Sequence, residues 1–192
     1  MKWNGIHIET HNDVYRPDED TWLLAECVQD AVKSGDRFLE VGCGAGLVSL
    51  AAAKRGAMAF ATDVNPFAVE LSARNAKQNK LELQVAEGDL FGPWEGEFDV
   101  VAFNPPYLPT APDDVVPGPL NHAFDGGIDG NQVVLRFAAA IANHPTKIVL
   151  VVHSSLSNPE PLDAAMASLG YSMSIAATRV LSWETLTVRR YA

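Results

Sequence analysis

Arg37-Phe38-Leu39-Glu40-Val41-Gly42-Cys43-Gly44-Ala45-Gly46 decides how this chain folds. The first five residues are mostly apolar and read as a buried strand. They end in glycines at alternate positions, Gly42, Gly44 and Gly46, and an apolar, alanine-rich stretch over 47–55 then reads as a helix. Strand, glycine turn and helix in that order open a parallel α/β unit, whose ligands bind at the carboxyl edge of the sheet. Glycine lets backbone approach a ligand closely, but the spacing here lacks the final glycine of the dinucleotide fingerprint, and Glu40 precedes the loop. A carboxylate at that place suits a cationic ligand better than a pyrophosphate. The loop alone leaves a methyl donor and a nucleotide both open.

Outward from this unit, short β-branched or apolar runs alternate with longer helical patterns. Helices are predicted over 21–32, 47–55, 66–79, 130–142 and 159–169, and strands over 37–41, 57–62, 82–87, 98–103, 147–153, 171–177 and 185–191. Gly56 follows Lys54-Arg55 as a left-handed cap with basic residues at the negative end of the helix dipole. Asn65-Pro66 and Asn158-Pro159 each place a capping side chain before a proline at the first helical position. The last two strands are separated only by about 179–184, too short for a parallel crossover, so they pair as a hairpin. The expectation is an α/β fold: a seven-stranded, mostly parallel sheet with a C-terminal antiparallel hairpin and helices on both faces.

A length of 192 residues suits one domain, 1–192, with a well-buried core. A formal charge of −10, with 14 Lys and Arg against 24 Asp and Glu, repels phosphate backbones, and the basic residues are scattered. Nucleic acid is therefore a poor partner and a basic protein a better one. No run is long enough to span a bilayer, and the N-terminus has no signal-peptide pattern, so a cytoplasmic location is expected. Cys27 and Cys43 give neither a disulfide framework nor a zinc pattern and read as reduced small hydrophobes.

The sharpest chemical signal is Asn104-Pro105-Pro106-Tyr107, which follows the apolar strand end Asp99-Val100-Val101-Ala102-Phe103. Asn104 and Pro105 each precede a proline and are held extended, while the Pro106 ring fixes its own φ. An amide and carbonyls are thereby frozen where they can accept both hydrogens of a planar NH2, with the Tyr107 ring against its face. Methylating a poor nitrogen nucleophile requires such an array. Two other strand ends offer carboxylates. Asp63, seventeen positions beyond Gly46, can accept from both hydroxyls of a ribose, and Asp89-Leu90 can hold an adenine amine and touch the ring. The long Pro-, Gly- and Asp-rich stretch over 108–129 reads as a substrate-binding rim.

Together, Glu40 to Gly46, Asp63, Asp89 and Asn104 to Tyr107 resemble the HemK family of S-adenosylmethionine-dependent glutamine methyltransferases, which have the class I methyltransferase (Rossmann-like) fold. Val14-Tyr15-Arg16-Pro17-Asp18-Glu19-Asp20-Thr21-Trp22-Leu23-Leu24 is similar to the signature of its short archaeal and eukaryotic branch, and Asp125-Gly126-Gly127-Ile128-Asp129-Gly130 also matches. The resemblance runs from about Tyr15 to the C-terminal strands. It implies that Thr21, Glu40, Gly42, Asp63, Asp89 and Leu90 contact the donor, S-adenosyl-L-methionine, with Gly44 and Gly46 in the same loop. It implies that Asn104 holds the substrate amide beside the donor, with Pro105 and Tyr107 as its catalytic neighbours. The implied substrate is the glutamine of the Gly-Gly-Gln loop of a class 1 translation release factor. A small zinc-binding activator is implied as heterodimer partner; the candidate edge is 82–87, where Leu83 and Val85 alternate with polar residues.

Positioning supplies most of the catalysis in this reading, because no side chain reads as a base strong enough to deprotonate an amide. The same array could hold the exocyclic amine of adenine in DNA or RNA, but base extrusion needs a basic track and stacking aromatics that the sequence lacks. Lysine methylation on basic tails, drawn by acids at Asp113-Asp114 and Asp125, is a second rival, and a non-catalytic cofactor-binding scaffold a third. His7, His11 and Asp13 form no convincing metal set, His153 reads as a packed histidine, and Trp183 and Glu184 read as structural.

Overall fold

A computed structural model describes residues 1–107, 118, 120, 123, 126–127 and 130–192. Its elements are β1 (Lys2–Trp3), β2 (Ile6–His7), α1 (Glu19–Ala31), β3 (Arg37–Val41), α2 (Leu47–Lys54), β4 (Met58–Asp63), α3 (Pro66–Asn79), β5 (Gln84–Glu87), β6 (Phe98–Phe103), α4 (Gln132–Ile141), β7 (Thr146–Ser154), α5 (Glu160–Ser168), β8 (Met173–Val180) and β9 (Thr185–Tyr191). The seven-stranded sheet runs β5-β4-β3-β6-β7-β9-β8. The first five strands are parallel, whereas β9 is antiparallel to both β7 and β8. The chain crosses through α5, leaves one place vacant beside β7 and fills it with the returning β9.

Period-two alternation gives each inner strand two apolar faces. Phe38 of β3, Val100 of β6 and Leu150 of β7 pack with α1, α2 and α3, while Leu39, Val101 and Val149 pack with α4 and α5. The capping signals at Asn65 and Gly56 work as read, whereas α5 begins one residue later than expected, with Pro159 at the cap position and Asn158 still accepting from the first helical amide. Asn65 Oδ1 accepts from the Phe67 amide at 3.0 Å, Asn158 Oδ1 from Glu160 at 3.0 Å, and Gly56 has φ +89°. Helix α1 begins two residues earlier than predicted because Asp18 accepts from the Glu19 amide at 2.9 Å. Strand β8 is longer than predicted, reaching Val180, and a four-residue turn closed by Leu181 N–H to the Glu184 carbonyl at 2.8 Å joins it to β9.

The sequence reading missed the hairpin β1–β2, although Asn4-Gly5, at φ 42° and 81°, is the expected chemistry for a tight hairpin turn. The segment after it is tied across α3. The buried Asn75 side chain accepts from the Glu9 amide at 2.8 Å and donates to the Ala45 carbonyl at 2.9 Å, linking the N-terminal strap to the glycine loop. Cys27 and Cys43 are both buried and unbridged, and burial raises both thiol pKa values, that of Cys27 to about 11.

Candidate active site

Strand order reverses between β3 and β6, which lie side by side, and their carboxyl ends carry the glycine loop and Asn104 to Tyr107. An open parallel sheet offers its ligand crevice at that switch point. A cavity of about 620 Å³ occupies it, within the roughly 300–1,000 Å³ usual for small-molecule sites. The structure brings every sequence-selected site residue except Gly46 to its walls: Thr21, Glu40, Gly42, Gly44, Asp63, Asp89, Leu90, Asn104, Pro105 and Tyr107. Gly46 stands just behind, starting α2 at φ +80°, where an added Cβ would sit 2.8 Å from Ser72 Cβ.

Glu40 leaves β3 on the α2 side, and one carboxylate oxygen accepts from both the amide, at 2.7 Å, and the hydroxyl of Ser49 in the first turn of α2. Burial nevertheless pushes the carboxyl up to about 8, a rise to which Asp63 adds and which the Ser49 bonds oppose. Asp63 ends β4 and braces the loop, accepting from Gly44 N–H at 2.8 Å and, on its other oxygen, from Asn65 N–H at 2.9 Å. Asp89 is ion-paired with Arg136 of α4, a residue the sequence reading did not select and which also lines the cavity. Leu90 takes a left-handed φ of 50°, and its carbonyl accepts from the Thr62 hydroxyl.

The opposite wall is organised by a second residue missed in the sequence, Asp20. It is 5 % exposed. One of its oxygens accepts from the Thr21 amide at 2.5 Å and the Thr21 hydroxyl at 3.0 Å. The other accepts from Tyr15 Oη at 3.0 Å, Asn104 Nδ2 at 3.0 Å and Tyr107 Oη at 3.4 Å. Burial first, then the Asp20 charge, raises the pKa of both phenols, so they stay protonated donors. Asn104 Oδ1 is buried and has no hydrogen-bond partner among the described residues. Glu184, which reads as structural in the sequence, stands at the cavity. Its carboxylate accepts from the Ser154 hydroxyl and from Trp183 Nε1 at 3.1 Å.

The discounted residues lie elsewhere. His11 stacks on Phe67 with centroids 5.2 Å apart, and among the described residues no His, Cys, Asp and Glu cluster is arranged to hold a metal. His153 bonds Ser157 Oγ at 3.2 Å; burial, with Arg189 nearby, lowers its pKa to about 4. The acids Asp113, Asp114 and Asp125, most of the 108–129 rim and Ile128-Asp129 of the second motif lie outside the described residues. Among the described residues no helix is long and apolar enough to cross a membrane.

The switch-point cavity, the glycine loop after the first sheet strand and the antiparallel β9 define a class I methyltransferase architecture. Residues 5–115 match the methyltransferase small domain family, and the chain belongs to that family. It is 41% identical over 187 residues to the putative protein N5-glutamine methyltransferase MJ0928 of Methanocaldococcus jannaschii, covering 96% of this chain and 94% of that protein. It is 32% identical over 192 residues to Methyltransferase HEMK2 of Mus musculus, covering 94% and 90%. The structure of the E. cuniculi Mtq2–Trm112 complex, described as responsible for methylation of the eRF1 translation termination factor, is similar in fold. Its TM-score is 0.72 over 93% of this chain and 98% of that one, at 23% identity. The HemK resemblance read from the motifs is borne out by these relatives.

Proposed function

We propose that this enzyme transfers a methyl group from S-adenosylmethionine to the side-chain amide nitrogen of the glutamine in the Gly-Gly-Gln loop of a class 1 translation release factor. The observation that carries the reading is Asn104 Oδ1, a buried acceptor without a partner among the described residues, on a side chain that lines the cavity. A buried polar group is normally paired, so this one is matched to a donor brought by the substrate. The names of the relatives support glutamine as the bearer of that donor.

The residues present fit the donor. The cavity carries Asp63 for a ribose diol, and Asp89 and Leu90 for an adenine, with Asp89 sharing its charge with Arg136. Glu40, Thr21, Gly42 and Gly44 line the same cavity, while Gly46 keeps the loop tight. When bound, the donor supplies an electrophilic methyl on a sulfonium. Asn104 Oδ1 and the Pro105 carbonyl accept the two amide hydrogens, and the Tyr107 ring lies against the amide plane. That alignment would present the nitrogen for in-line attack on the donor's methyl group, the N–CH3 bond forming as the S–CH3 bond breaks and the demethylated donor leaves as a neutral thioether. The methylated nitrogen is then strongly acidic and gives its proton to water without a dedicated base. Orientation of this kind corresponds to effective molarities of about 10⁵ to 10⁸ M.

For a small zinc-binding activator the proposed contact remains the edge at β5, which begins at Gln84 and not at Glu82, so that Leu83 lies before the strand, packed against the core, and Val85 and Ala86 are the strand's half-buried apolar residues. A translation factor as substrate fits a cytoplasmic location. The test is labelled methyl transfer to a cognate release factor, its Gln→Ala loop variant, a basic histone-like peptide and an adenine-containing duplex, with and without the activator. Label on the release factor that vanishes in the Gln→Ala variant supports the proposal; label on the peptide or duplex instead transfers it to the corresponding rival.

A further inference from the structure

We propose that Asp20 is a positioning residue that sets which end of the Asn104 amide faces the cavity. An asparagine side chain carries an acceptor at one end and two donors at the other, and a half-turn about χ2 exchanges them at almost no steric cost. Packing alone therefore does not fix its polarity. A charged neighbour does. Asp20 Oδ2 lies 3.0 Å from Asn104 Nδ2, and an ionised carboxylate only accepts. The flipped amide would set Oδ1 against that oxygen, two acceptors at hydrogen-bond distance in a buried place. The carboxylate thus holds the NH2 toward itself and leaves Oδ1 at the opposite end of the amide, buried and without a partner among the described residues, on a side chain that lines the cavity.

Asp20 is itself held against rotation. Its Oδ1 is fixed by the amide and hydroxyl of the next residue, Thr21, at 2.5 and 3.0 Å, and the Tyr15 hydroxyl shares Oδ2 at 3.0 Å. Two donors define one oxygen and the Asn104 amide with the Tyr15 hydroxyl defines the other. Helix α1, strand β6 and the N-terminal strap are joined at this one side chain, eighty-four positions before Asn104. No atom of Asp20 need touch the substrate for this role; it acts through Asn104.

The Asp20→Asn variant tests the inference with a single-atom exchange. Thr21 still demands an acceptor at Oδ1, so the new amide nitrogen takes the place of Oδ2 and faces Asn104 Nδ2. Donor then meets donor, and Asn104 flips to relieve it, presenting NH2 to the cavity. The kinetic consequence rests on the proposed glutamine reaction, in which that wall must accept. Turnover falls roughly 10²-fold, the scale of losing one preorganised polar group, while donor affinity and melting temperature stay near those of the unaltered enzyme. The double variant Asp20→Asn with Asn104→Asp puts an oxygen back at the wall, because the carboxylate introduced at position 104 accepts from the new amide with one oxygen and turns the other to the cavity. It recovers about tenfold over Asp20→Asn alone, a coupling within the range of neighbouring pairs.

A second readout needs no substrate. Hydrogen exchange of the Asn104 side-chain NH2, identified in NMR spectra by its absence in Asn104→Asp, is slow in the unaltered enzyme. It accelerates about tenfold or more in Asp20→Asn as the NH2 turns to the open cavity. Unchanged exchange in Asp20→Asn overturns the inference, as does lost turnover that the double variant fails to recover. If the unaltered enzyme does not methylate the release factor, the glutamine reading fails, and the exchange experiment still decides the role of Asp20.

Discussion

With Glu40 in the donor-binding role proposed above, binding of the methyl donor is predicted to depend on pH. Burial holds its carboxyl near 8 in the unliganded protein, against an ordinary 4.5, so it is mostly protonated at neutrality. A ligand that brings a positive charge or hydroxyl donors to this carboxyl favours the ionised form and lowers the pKa again. If the bound-state value drops below about 5, the competent ionised fraction of the free protein rises from about 1 % at pH 6 to about half at pH 8. The apparent dissociation constant then tightens about 50-fold over that interval, and binding at pH 7 releases about 0.9 of a proton. Calorimetric titration at pH 6, 7 and 8, in buffers of different ionisation enthalpy, reads both quantities. The donor's own amino group also titrates, but equally so with Glu40→Gln, and His153, near 4, lies outside the window. The difference between the two proteins isolates Glu40. Equal pH dependence in the two proteins refutes the assignment. Linkage fixes a companion effect. The folded state holds the Glu40 proton more tightly than the unfolded chain, so this contribution to stability is whole below about 4.5 and is lost as pH rises toward about 8.

Asn104→Ala lowers turnover by roughly 10² or more with donor affinity retained, as single-turnover transfer would show; near-normal turnover contradicts the role. Tyr107→Phe is milder in the same assay, because the ring face is kept and its hydroxyl makes only a 3.4 Å contact with Asp20. Gly46→Ala sets a Cβ 2.8 Å from Ser72 at φ +80°; the strain and overpacking together cost roughly 2 kcal/mol or more, read by urea unfolding. Asp163→Ala removes the shared acceptor of Arg189, at 2.7 Å, and of the buried Tyr191 hydroxyl, at 2.8 Å. The loss is roughly 1–3 kcal/mol by the same unfolding measurement.

Most of the architecture was legible because local signals and periodicity agreed. Three strands, Arg37–Val41, Phe98–Phe103 and Thr185–Tyr191, and the helix Pro66–Asn79 begin and end where the sequence places them. Gly42 after the first of these strands, Asn104 after the second and Asn65-Pro66 at the start of the helix leave little latitude there. The N-terminal hairpin was overlooked because two strands of two residues show no measurable alternation, and only Asn4-Gly5 announces them. The cavity wall formed by Glu40, the glycine loop, Asp63, Asp89 and Leu90 was legible because these residues stand at or just beyond strand ends, which a parallel sheet aligns whatever the distance along the chain. The opposite wall was half legible. Asn104 and Tyr107 announce themselves through the prolines between and beside them, whereas Asp20 looks like any acid in the first turn of a helix. Its importance comes from partners five, eighty-four and eighty-seven positions away. Glu184 escaped for the same reason, since only the fold of the terminal hairpin brings it to the cavity.

The most direct measurement is tandem mass spectrometry of the release factor's Gly-Gly-Gln peptide after incubation with the enzyme, S-adenosylmethionine and activator. One added methyl group on the glutamine side-chain nitrogen, absent with Asn104→Ala, is the predicted result. An unmodified glutamine in a reaction where the enzyme demonstrably consumes donor would contradict the account.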